Sequence, residues 1–167
     1  MNLLIRKAKK HDKHAFQRIM LEQTESMYKI AKSILQNDED IADAMQDTAL
    51  TCWEKIDTLR EERYFKTWLT RILINHCYAI YNRRNEMLSD EMMQETGFWD
   101  DGYSGVEWKE FLSYMDEKHR IVIMLYYVEG FKTREIADIL QMNESTIRSR
   151  LASARKQMAE RIGYESI

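Results

Sequence analysis

The sequence predicts an all-α protein made of two small helical domains joined by a flexible acidic linker, with a helix-turn-helix in the C-terminal domain. The 167 residues contain no proline and only five glycines, so long segments are free of helix breakers. Three of the glycines, Gly97, Gly102 and Gly105, lie close together and mark one joint between two such segments. Apolar residues make up 44% of the chain and charged residues 32%, which is typical of a soluble globular protein. All-β folds need many more turn residues and are excluded.

Three amphipathic helices are predicted in the N-terminal half, because apolar residues recur there at three- and four-residue steps. The first covers residues 15–35, the second runs from a cap at Asn37 or Asp38 to about Ile56, and the third covers about Phe65 to Arg84. The apolar stripe of the second helix consists of Ile41, Met45, Ala49, Cys52, Trp53 and Ile56. Three helices of this length can share a core within roughly 85 residues.

The segment between the two halves has a different composition. From Glu91 to Leu112 there are six acidic residues and one lysine, a net charge of −5, and the segment from Glu95 to Gly105 has no helical period. We therefore expect a flexible linker that is acidic and partly aromatic.

Helices resume at about Val106 in the C-terminal half. Asp116 is the expected N-cap of the apolar segment Arg120–Glu129, whose β-branched residues are also compatible with a strand. We favour a helix, because Gly130 follows it as a C-cap would. A short helix over 133–140, a turn over 141–144 and a longer helix to about residue 162 follow. Together these define a helix-turn-helix.

The second helix of this unit is basic, although the whole chain has a net charge of −3. Residues 143–163 contain five basic residues and two acidic ones. One apolar stripe of this helix is expected to face the core, and it consists of Ile147, Leu151, Ala154, Met158 and Ile162. The arginines and serines then lie on the outward faces. This distribution suits insertion into a DNA major groove. A solvated charged face on an ordinary helical hairpin explains it equally well, so composition leaves both alternatives open.

The residue patterns of several enzyme classes are missing from the sequence. It contains no glycine-rich phosphate loop and no Glu-x-x-His pair of the kind that di-iron bundles use. The spacings His11-x-x-His14 and Asp116-x-x-His119 are expected to be surface residues. We therefore expect no catalytic residue, no metal and no cofactor.

The cysteines, the longest apolar run and the first ten residues bear on the cellular compartment. Cys52 and Cys77 have no CxxC partner and are expected to be small buried thiols. The longest apolar run, Ile121–Val128, has eight residues and is too short to span a bilayer. Residues 1–10 lack the long apolar stretch of a signal peptide, so we expect an intracellular protein.

Four segments resemble the extracytoplasmic-function (ECF) sigma factors of bacterial RNA polymerase, which belong to the sigma-70 family. Tyr127–Leu140 and Ser145–Arg155 resemble the two helices of the family's C-terminal DNA reader, and the second is commonly written GTVKSRLxRAR. Asp40–Trp53 resembles the polymerase-binding helix, and Phe65–Asn75 resembles the helix that engages the −10 promoter element. The four segments occur in the family's order, with the linker between them.

This resemblance implies an N-terminal sigma domain over residues 1–88, a linker over 89–108 and a C-terminal sigma domain over 109–167. The first domain is expected to bind the polymerase core and recognise the −10 element, and the second to read the −35 element. The chain would direct core polymerase to specific promoters and help to open them. The chemistry would remain with the polymerase, so no enzyme activity is expected.

The resemblance also implies the partners. They are the RNA polymerase core, promoter DNA and an anti-sigma factor, with no small-molecule substrate and no membrane insertion. The protein is expected in the cytoplasm, where a membrane-bound anti-sigma factor can hold it at the inner face of the membrane.

The candidate polymerase-binding residues lie on one face of the second helix. At about 100° per residue, this face is opposite the apolar stripe, and Leu50 stands on it among polar neighbours, as in a protein interface. Residues 38–62 contain nine acidic and two basic residues, a net charge of −7, which suits the basic polymerase hairpin on which the family docks. The candidates are Asp43, Gln46, Asp47, Leu50 and Glu54.

The candidate −10 residues lie on and before the third helix. Asn75 matches the family position that helps to hold a flipped base, the arginines are expected at phosphates, and Tyr64 is expected to stack on an unpaired base. Phe65 and Trp68 are further candidates for stacking, but Trp68 lies on the apolar stripe, which favours the core for it. The candidates are Tyr64, Arg71, Asn75, Tyr78, Asn82, Arg83 and Arg84.

The candidate −35 residues belong to the helix-turn-helix, where an arginine can bind the two major-groove acceptors of guanine. They are Thr133, Arg134, Glu144, Ser145, Thr146, Arg148, Ser149, Arg150, Ala152, Ser153 and Lys156. This sequence departs from the family at Gln141, Asn143 and Ser145, where relatives often have glycine, proline and glycine. Asn143 can instead cap the final helix. Ala152 and Ser153 stand where relatives often place bulkier or basic side chains, so a relative's −35 preference does not carry over.

Two other classes of protein are alternatives. A stand-alone dimeric helix-turn-helix regulator would need an apolar dimer seam, which the sequence does not provide, and leaves the acidic face without a role. A helical adaptor that binds only protein leaves the arginine-rich final helix unused. The acidic balance of the chain also predicts weak promoter affinity for the free protein, because phosphate neutralisation drives such binding.

Overall fold

The computed structural model describes residues 1–88 and 112–165, and all regular secondary structure in these two ranges is helical. The helices are α1 (Asn2–Lys9), α2 (Lys13–Ile34), α3 (Asp38–Lys55), α4 (Phe65–Leu88), α5 (Glu117–Ile123), α6 (Thr133–Leu140) and α7 (Glu144–Glu165). Short 3-10 turns at Ile56–Thr58 and Glu62–Tyr64 join α3 to α4. The predicted all-α fold is confirmed. The linker predicted for residues 89–108 lies outside the described residues.

Polar side chains begin three of the helices. The side chain before each of these helices accepts a hydrogen bond from the backbone N–H three residues later. The residues are Asn37 before α3 (2.8 Å), Asp116 before α5 (3.0 Å) and Asp12 before α2 (3.1 Å). Such a cap satisfies one of the N–H groups that a helix start leaves without a partner. The caps predicted at Asn37 and Asp116 are therefore confirmed.

The sequence analysis did not predict α1 as a separate helix. Its chain reverses at His11, a non-glycine residue with a φ of 63°, before Asp12 caps α2. Ile5 and Ala8 anchor α1 in the core, and Lys9 Nζ donates to the Leu59 carbonyl at 2.6 Å. This added helix therefore supports the turn that leads into α4.

The core of the N-terminal half lies between α2, α3 and α4, which all pack on one another. Ile19, Ile30, Ile41 and Leu73 are fully buried, as the apolar stripes predicted. Phe65, the first residue of α4, is 1% exposed and fixes the start of that helix in the core. Trp68, for which the core was favoured, is only half-buried, and so is His76 on the same helix.

The two cysteines are free thiols in this core, as predicted. Both Cys52 and Cys77 are 0% exposed. Burial raises the pKa of each thiol to about 12, because the thiolate would lose its hydration. The side chains therefore pack as small apolar groups.

The C-terminal half is built around the buried helix α5. This helix continues as a π-helical turn over Met124–Val128 and ends before Gly130, which has a φ of 75°. The helix-turn-helix follows, with α6 over the range that the sequence predicted. Gln141 takes the left-handed conformation at the turn, with a φ of 56°, although a glycine would adopt it with less strain.

The final helix α7 packs on α5 and α6 through its predicted apolar stripe. Ile147, Leu151 and Ala154 are buried and Met158 is half-buried, whereas the side chain of Ile162 lies outside the described residues. The Asn143 carbonyl accepts from the N–H groups of Thr146 and Ile147 at 3.0 and 3.2 Å. These bonds begin the helix after Asn143, and they are made by its backbone carbonyl rather than by the side chain that the sequence offered as a cap.

The two halves are packed against each other. Helix α6 lies on α4, and α5 and its π turn lie on α2. Buried residues of both halves form one contiguous apolar cluster. Within the described ranges, no helix combines the length and the apolar content that crossing a bilayer requires.

Candidate nucleic-acid and protein interfaces

The candidate polymerase-binding face of α3 is open to solvent. Asp43, Gln46, Asp47, Leu50 and Glu54 are all exposed, and the buried residues Ile41, Ala44, Thr48 and Cys52 lie on the opposite side of the helix. Leu50 is 59% exposed at the centre of this face. An apolar centre with a polar rim is the usual composition of a protein interface.

An apolar groove extends this face onto α2. It has a volume of about 320 Å³, and Gln46 and Leu50 form one wall. Trp53 meets the Phe16 ring edge-on at 5.0 Å between centroids and the His11 ring at 5.3 Å, which holds the indole beside the groove. The complete lining is Lys13, Phe16, Gln17, Gln46, Ala49, Leu50 and Trp53. Sequence reasoning missed the α2 residues, because only the tertiary contact between α2 and α3 brings them to this face.

Most candidate −10 residues are exposed to solvent, whereas Tyr78 is partly covered by the start of α5. Arg71, Asn75, Asn82 and Arg83 are exposed on α4, and Tyr64 is 49% exposed just before it. Tyr78 is half-buried, and its hydroxyl donates a hydrogen bond to Glu117 at the start of α5. Burial and this hydrogen bond raise the pKa of the Tyr78 phenol.

Arg84 is already engaged within the N-terminal half. Its Nη2 donates to Asp40 Oδ1 at 2.8 Å, and Asp40 is 6% exposed. The hydrogen bond that it donates to Asp40 raises the pKa of the Arg84 guanidinium. A phosphate at Arg84 would therefore compete with a carboxylate that is already in place.

A cleft of about 280 Å³ lies beside Arg71. Its floor and walls come mainly from the turn before α4 and from the first turns of that helix, and Asp138 of α6 closes one side. Its lining is Thr58, Leu59, Arg60, Glu61, Tyr64, Thr67, Trp68, Arg71 and Asp138. Trp68 thus has one side in the core and the other in the cleft. The sequence analysis favoured the core for Trp68 with stacking as the alternative, and the residue borders both environments.

The outer face of the helix-turn-helix carries the candidate −35 residues. Thr133, Glu144, Thr146 and Arg150 are half-buried. The others are exposed, namely Arg134, Ser145, Arg148, Ser149, Ala152, Ser153 and Lys156. One helical surface therefore presents most of them together.

Glu144 organises the start of this face. Its Oε1 accepts from Thr133 Oγ1 and from Arg148 Nη2, each at 2.8 Å. The Thr133 hydrogen bond, followed by the charge of Arg148, lowers the pKa of the Glu144 carboxyl. The two helices of the unit are thereby tied together at the end where α7 begins.

Arg155 has a supporting position on α7. Its Nε donates to Tyr127 Oη at 2.6 Å, and its guanidinium lies 5.5 Å from the Tyr126 ring centroid and 5.7 Å from that of Tyr127. These contacts join α7 to the π turn after α5. Arg155 was not a candidate DNA contact, and its side chain is occupied in holding the helix-turn-helix together.

The fold defines a class of protein, namely an all-helical protein with a C-terminal helix-turn-helix, and its helix α3 carries a separate, exposed acidic face. Comparison with known families identifies the class further. Residues 24–87 match the family model of sigma-70 region 2, and residues 106–158 match that of sigma-70 region 4. The two matches occur in the order in which the sequence analysis placed the two sigma domains.

Curated relatives extend over most of the chain. It is 24% identical over 146 residues to RNA polymerase sigma factor SigV of Bacillus subtilis, which covers 86% of this chain and 88% of that protein. It is also 24% identical over 157 residues to ECF RNA polymerase sigma factor SigM of Mycobacterium tuberculosis, which covers 92% and 80% respectively. The chain belongs to the sigma-70 family, as a sigma factor of the ECF type.

Two solved structures share the fold. CnrH in complex with the cytosolic domain of CnrY has a TM-score of 0.72 at 22% identity, covering 98% of this chain and 97% of that one. The sigma factor RpoE of Bartonella quintana, in complex with the anti-sigma factor NepR, has a TM-score of 0.75 at 24% identity, covering 87% and 94%. The all-α fold with its helix-turn-helix is thus that of known ECF sigma factors.

Proposed function

We propose that this ECF sigma factor binds core RNA polymerase through the exposed face of α3. The observation that carries the proposal is Leu50, which is 59% exposed between the carboxylates of Asp47 and Glu54 on the same helix face. A solvated face has no use for a large apolar side chain at its centre, whereas a docking surface does. The acidic rim favours a basic partner surface and speeds the encounter with it. The α2 wall of the groove, with Phe16 and Gln17, belongs to the same surface.

The proposed −10 contacts lie on α4 and in the cleft before it. Arg71 and Arg83 are exposed cations suited to phosphates, and Asn75 offers an exposed amide to a base edge. Tyr64 and the outer side of Trp68 flank the cleft, where an unpaired base can stack. Promoter opening requires such a platform, because bases leave the duplex stack in that step.

The proposed −35 contacts lie on the exposed face of α7. Arg148 and Ser149 follow each other near its start, where a recognition helix enters the major groove. Arg148 is the candidate for a bidentate contact to guanine, and Ser145 at the helix start is suited to a phosphate. We propose the domain division 1–88, 89–108 and 109–167, in which the −10 and −35 surfaces belong to different domains.

An anti-sigma factor is the proposed regulatory partner. Support comes from the two structural neighbours, whose structures contain the cytosolic domain of CnrY and the anti-sigma factor NepR. The chain would then act in the cytoplasm as a specificity subunit without catalytic activity of its own, and a membrane-bound partner could hold it at the inner face.

Run-off transcription tests the proposed function. Sigma-free core polymerase and a library of genomic fragments are incubated with and without the protein, and the expected result is initiation at defined start sites only when the protein is added. Failure to confer start-site selection on any natural template contradicts the proposal.

Charge reversal tests the docking face separately. Asp47→Arg should abolish binding to core polymerase while helicity, measured by circular dichroism, stays intact. Glu22→Arg, which reverses an exposed charge on α2, is the matched control and should bind as the wild type does. Equal binding by the two variants would remove α3 from the interface.

A further inference from the structure

The first 21 residues are basic, although the whole chain has a net charge of −3. They contain six lysine and arginine residues and a single acidic residue, Asp12. The carboxylate of Asp12 already accepts a hydrogen bond from the Ala15 N–H, where it caps α2. This basic segment lies outside the surfaces proposed above on α3, α4 and α7, apart from the α2 residues that border the groove.

Two of the cations on α1 hold the turn that precedes α4. Lys9 Nζ donates to the Leu59 carbonyl at 2.6 Å, and Arg6 Nε donates to Glu62 Oε1 at 3.3 Å. Leu59 also lines the cleft beside Arg71. The last turn of α1 therefore lies at the rim of the cleft that we propose for an unpaired −10 base.

Three lysines of the segment are free to meet a ligand, and we call them the basic ridge: Lys7, Lys10 and Lys13. All three are exposed, whereas Ile5 and Ala8, on the opposite side of α1, are buried. Within residues 1–88 and 112–165, none of the three forms an ion pair. Lys10 and Lys13 stand on either side of the turn between α1 and α2, so the ridge continues from one helix to the next.

A single DNA strand is the ligand that fits this arrangement. Proteins that bind single strands combine aromatic side chains, on which bases stack, with a basic track for the backbone. Tyr64 and Trp68 supply the aromatic part in the cleft, and the basic ridge beside the cleft supplies the track. The lysines of the ridge can bind phosphates without first leaving a carboxylate, unlike Arg84, which is paired with Asp40.

We propose that the basic ridge is a further DNA site, which binds backbone phosphates of the displaced promoter strand where that strand leaves the −10 cleft. This inference rests on the proposed function, since it takes the cleft as the site of an unpaired −10 base. Phosphate contacts carry no sequence information, so the ridge adds affinity for any opened promoter, and the cleft and the final helix provide selectivity.

Titration of the full chain into fluorescein-labelled oligo(dT) of about 12 nucleotides tests the ridge without polymerase. Each phosphate contact to a single strand contributes about 0.7 to the slope of log affinity against log salt concentration. Lys7→Gln and Lys10→Gln, each alone, should therefore lower this slope by about 0.7 and weaken binding roughly five- to tenfold at about 50 mM salt. Lys13 also lines the apolar groove beside α3, so it is left unchanged.

Lys118→Gln is the matched control, because it removes an exposed lysine of α5 that lies outside the ridge. It should leave the affinity for oligo(dT) and the salt slope as in the wild type. If Lys7→Gln and Lys10→Gln behave as Lys118→Gln does, the proposal is wrong.

Vesicles of phosphatidylcholine and phosphatidylglycerol test whether the ridge serves a membrane instead. The wild type and Lys10→Gln should both stay in the supernatant when such vesicles are sedimented at physiological salt. Vesicle binding that Lys10→Gln abolishes, together with unchanged oligo(dT) binding in that variant, would overturn the proposal in favour of an anionic membrane surface.

Directed DNA cleavage locates the ridge in the promoter complex. Lys10→Cys carries an iron–EDTA reagent in the holoenzyme, and the native Cys52 and Cys77 are fully buried and stay unmodified. On a template whose start site is defined by run-off transcription, the reagent should cut the displaced strand next to the −10 element once the promoter has opened. Cuts in the upstream duplex alone, or no cuts, would refute the ridge and leave the sigma-factor function standing. If run-off transcription shows no start-site selection, the sigma-factor function fails, and the oligo(dT) titration still decides whether the ridge binds a single strand.

Discussion

Leu50→Ala separates polymerase binding from stability, because Leu50 lies outside the core. The residue is 59% exposed, so its truncation should change the free energy of unfolding by no more than about 0.5 kcal/mol. Fully burying a leucine side chain is worth about 1.5–3 kcal/mol. Docking that covers the part now exposed should therefore contribute about 1–2 kcal/mol, which corresponds to roughly a five- to thirtyfold loss of polymerase affinity on truncation.

The assay is titration of fluorescently labelled protein with sigma-free core polymerase, with thermal unfolding followed by circular dichroism. Leu3→Ala is the matched control, because Leu3 is a leucine on α1, is 65% exposed and lies outside the proposed docking face. It should bind polymerase as the wild type does. An equal loss in both variants, or no loss in Leu50→Ala, refutes the argument that exposed apolar area on α3 is docking area.

Three further predictions concern DNA binding and the core. Arg148→Ala should weaken −35 binding by roughly 1–3 kcal/mol for the preferred base only, measured by fluorescence anisotropy on single-base variants of the promoter; an equal loss on all sequences makes Arg148 a phosphate contact. The free chain should bind promoter duplex weakly at physiological salt, and tight sequence-specific binding without polymerase contradicts this. Cys52 and Cys77, with pKa values raised to about 12, should not react with Ellman's reagent at pH 8 in the native state but should react fully in denaturant; native reactivity on mixing would contradict their burial.

The elements that sequence reasoning predicted well are those whose cause is local. Asn37 and Asp116 bond to backbone N–H groups three residues away, so the cap is visible in the sequence itself. The range of α6 follows from its short apolar period and from the turn after it. The exposed position of Leu50 also follows from helix geometry alone, because the face opposite an apolar stripe points to solvent.

The features that escaped prediction depend on contacts between distant residues. Tyr78 occupies the same face of α4 as Arg71 and Asn75, and nothing in its local sequence indicates that Glu117, 39 positions away, will cover it. The Arg84–Asp40 pair spans 44 positions in the same way. Helical periodicity shows which face of a helix points away from the core of its own half. It does not show which part of that face the other half of the chain will cover.

Gln141 shows how local hydrogen bonds support a left-handed residue that is not glycine. The sequence has Gln141 where the family often has glycine, and the residue nevertheless adopts a φ of 56°. Its side chain donates to the Asp138 carbonyl at 2.7 Å, and the Met142 N–H donates to the Ala137 carbonyl at 3.0 Å. These bonds satisfy carbonyls that the end of α6 leaves free, which offsets part of the strain.

The Glu144–Arg148 pair reconciles an occupied arginine with a role in reading DNA. The pair is one helical turn long and its arginine side chain is 69% exposed, so breaking it costs at most about 1 kcal/mol. Glu144 keeps its Thr133 hydrogen bond when Arg148 leaves, and a carboxylate in the first turn of α7 also interacts favourably with the helix dipole. A guanine can thus recruit Arg148 without leaving Glu144 unsatisfied. Until then, the pair holds the guanidinium at the end of α7 that would enter the groove.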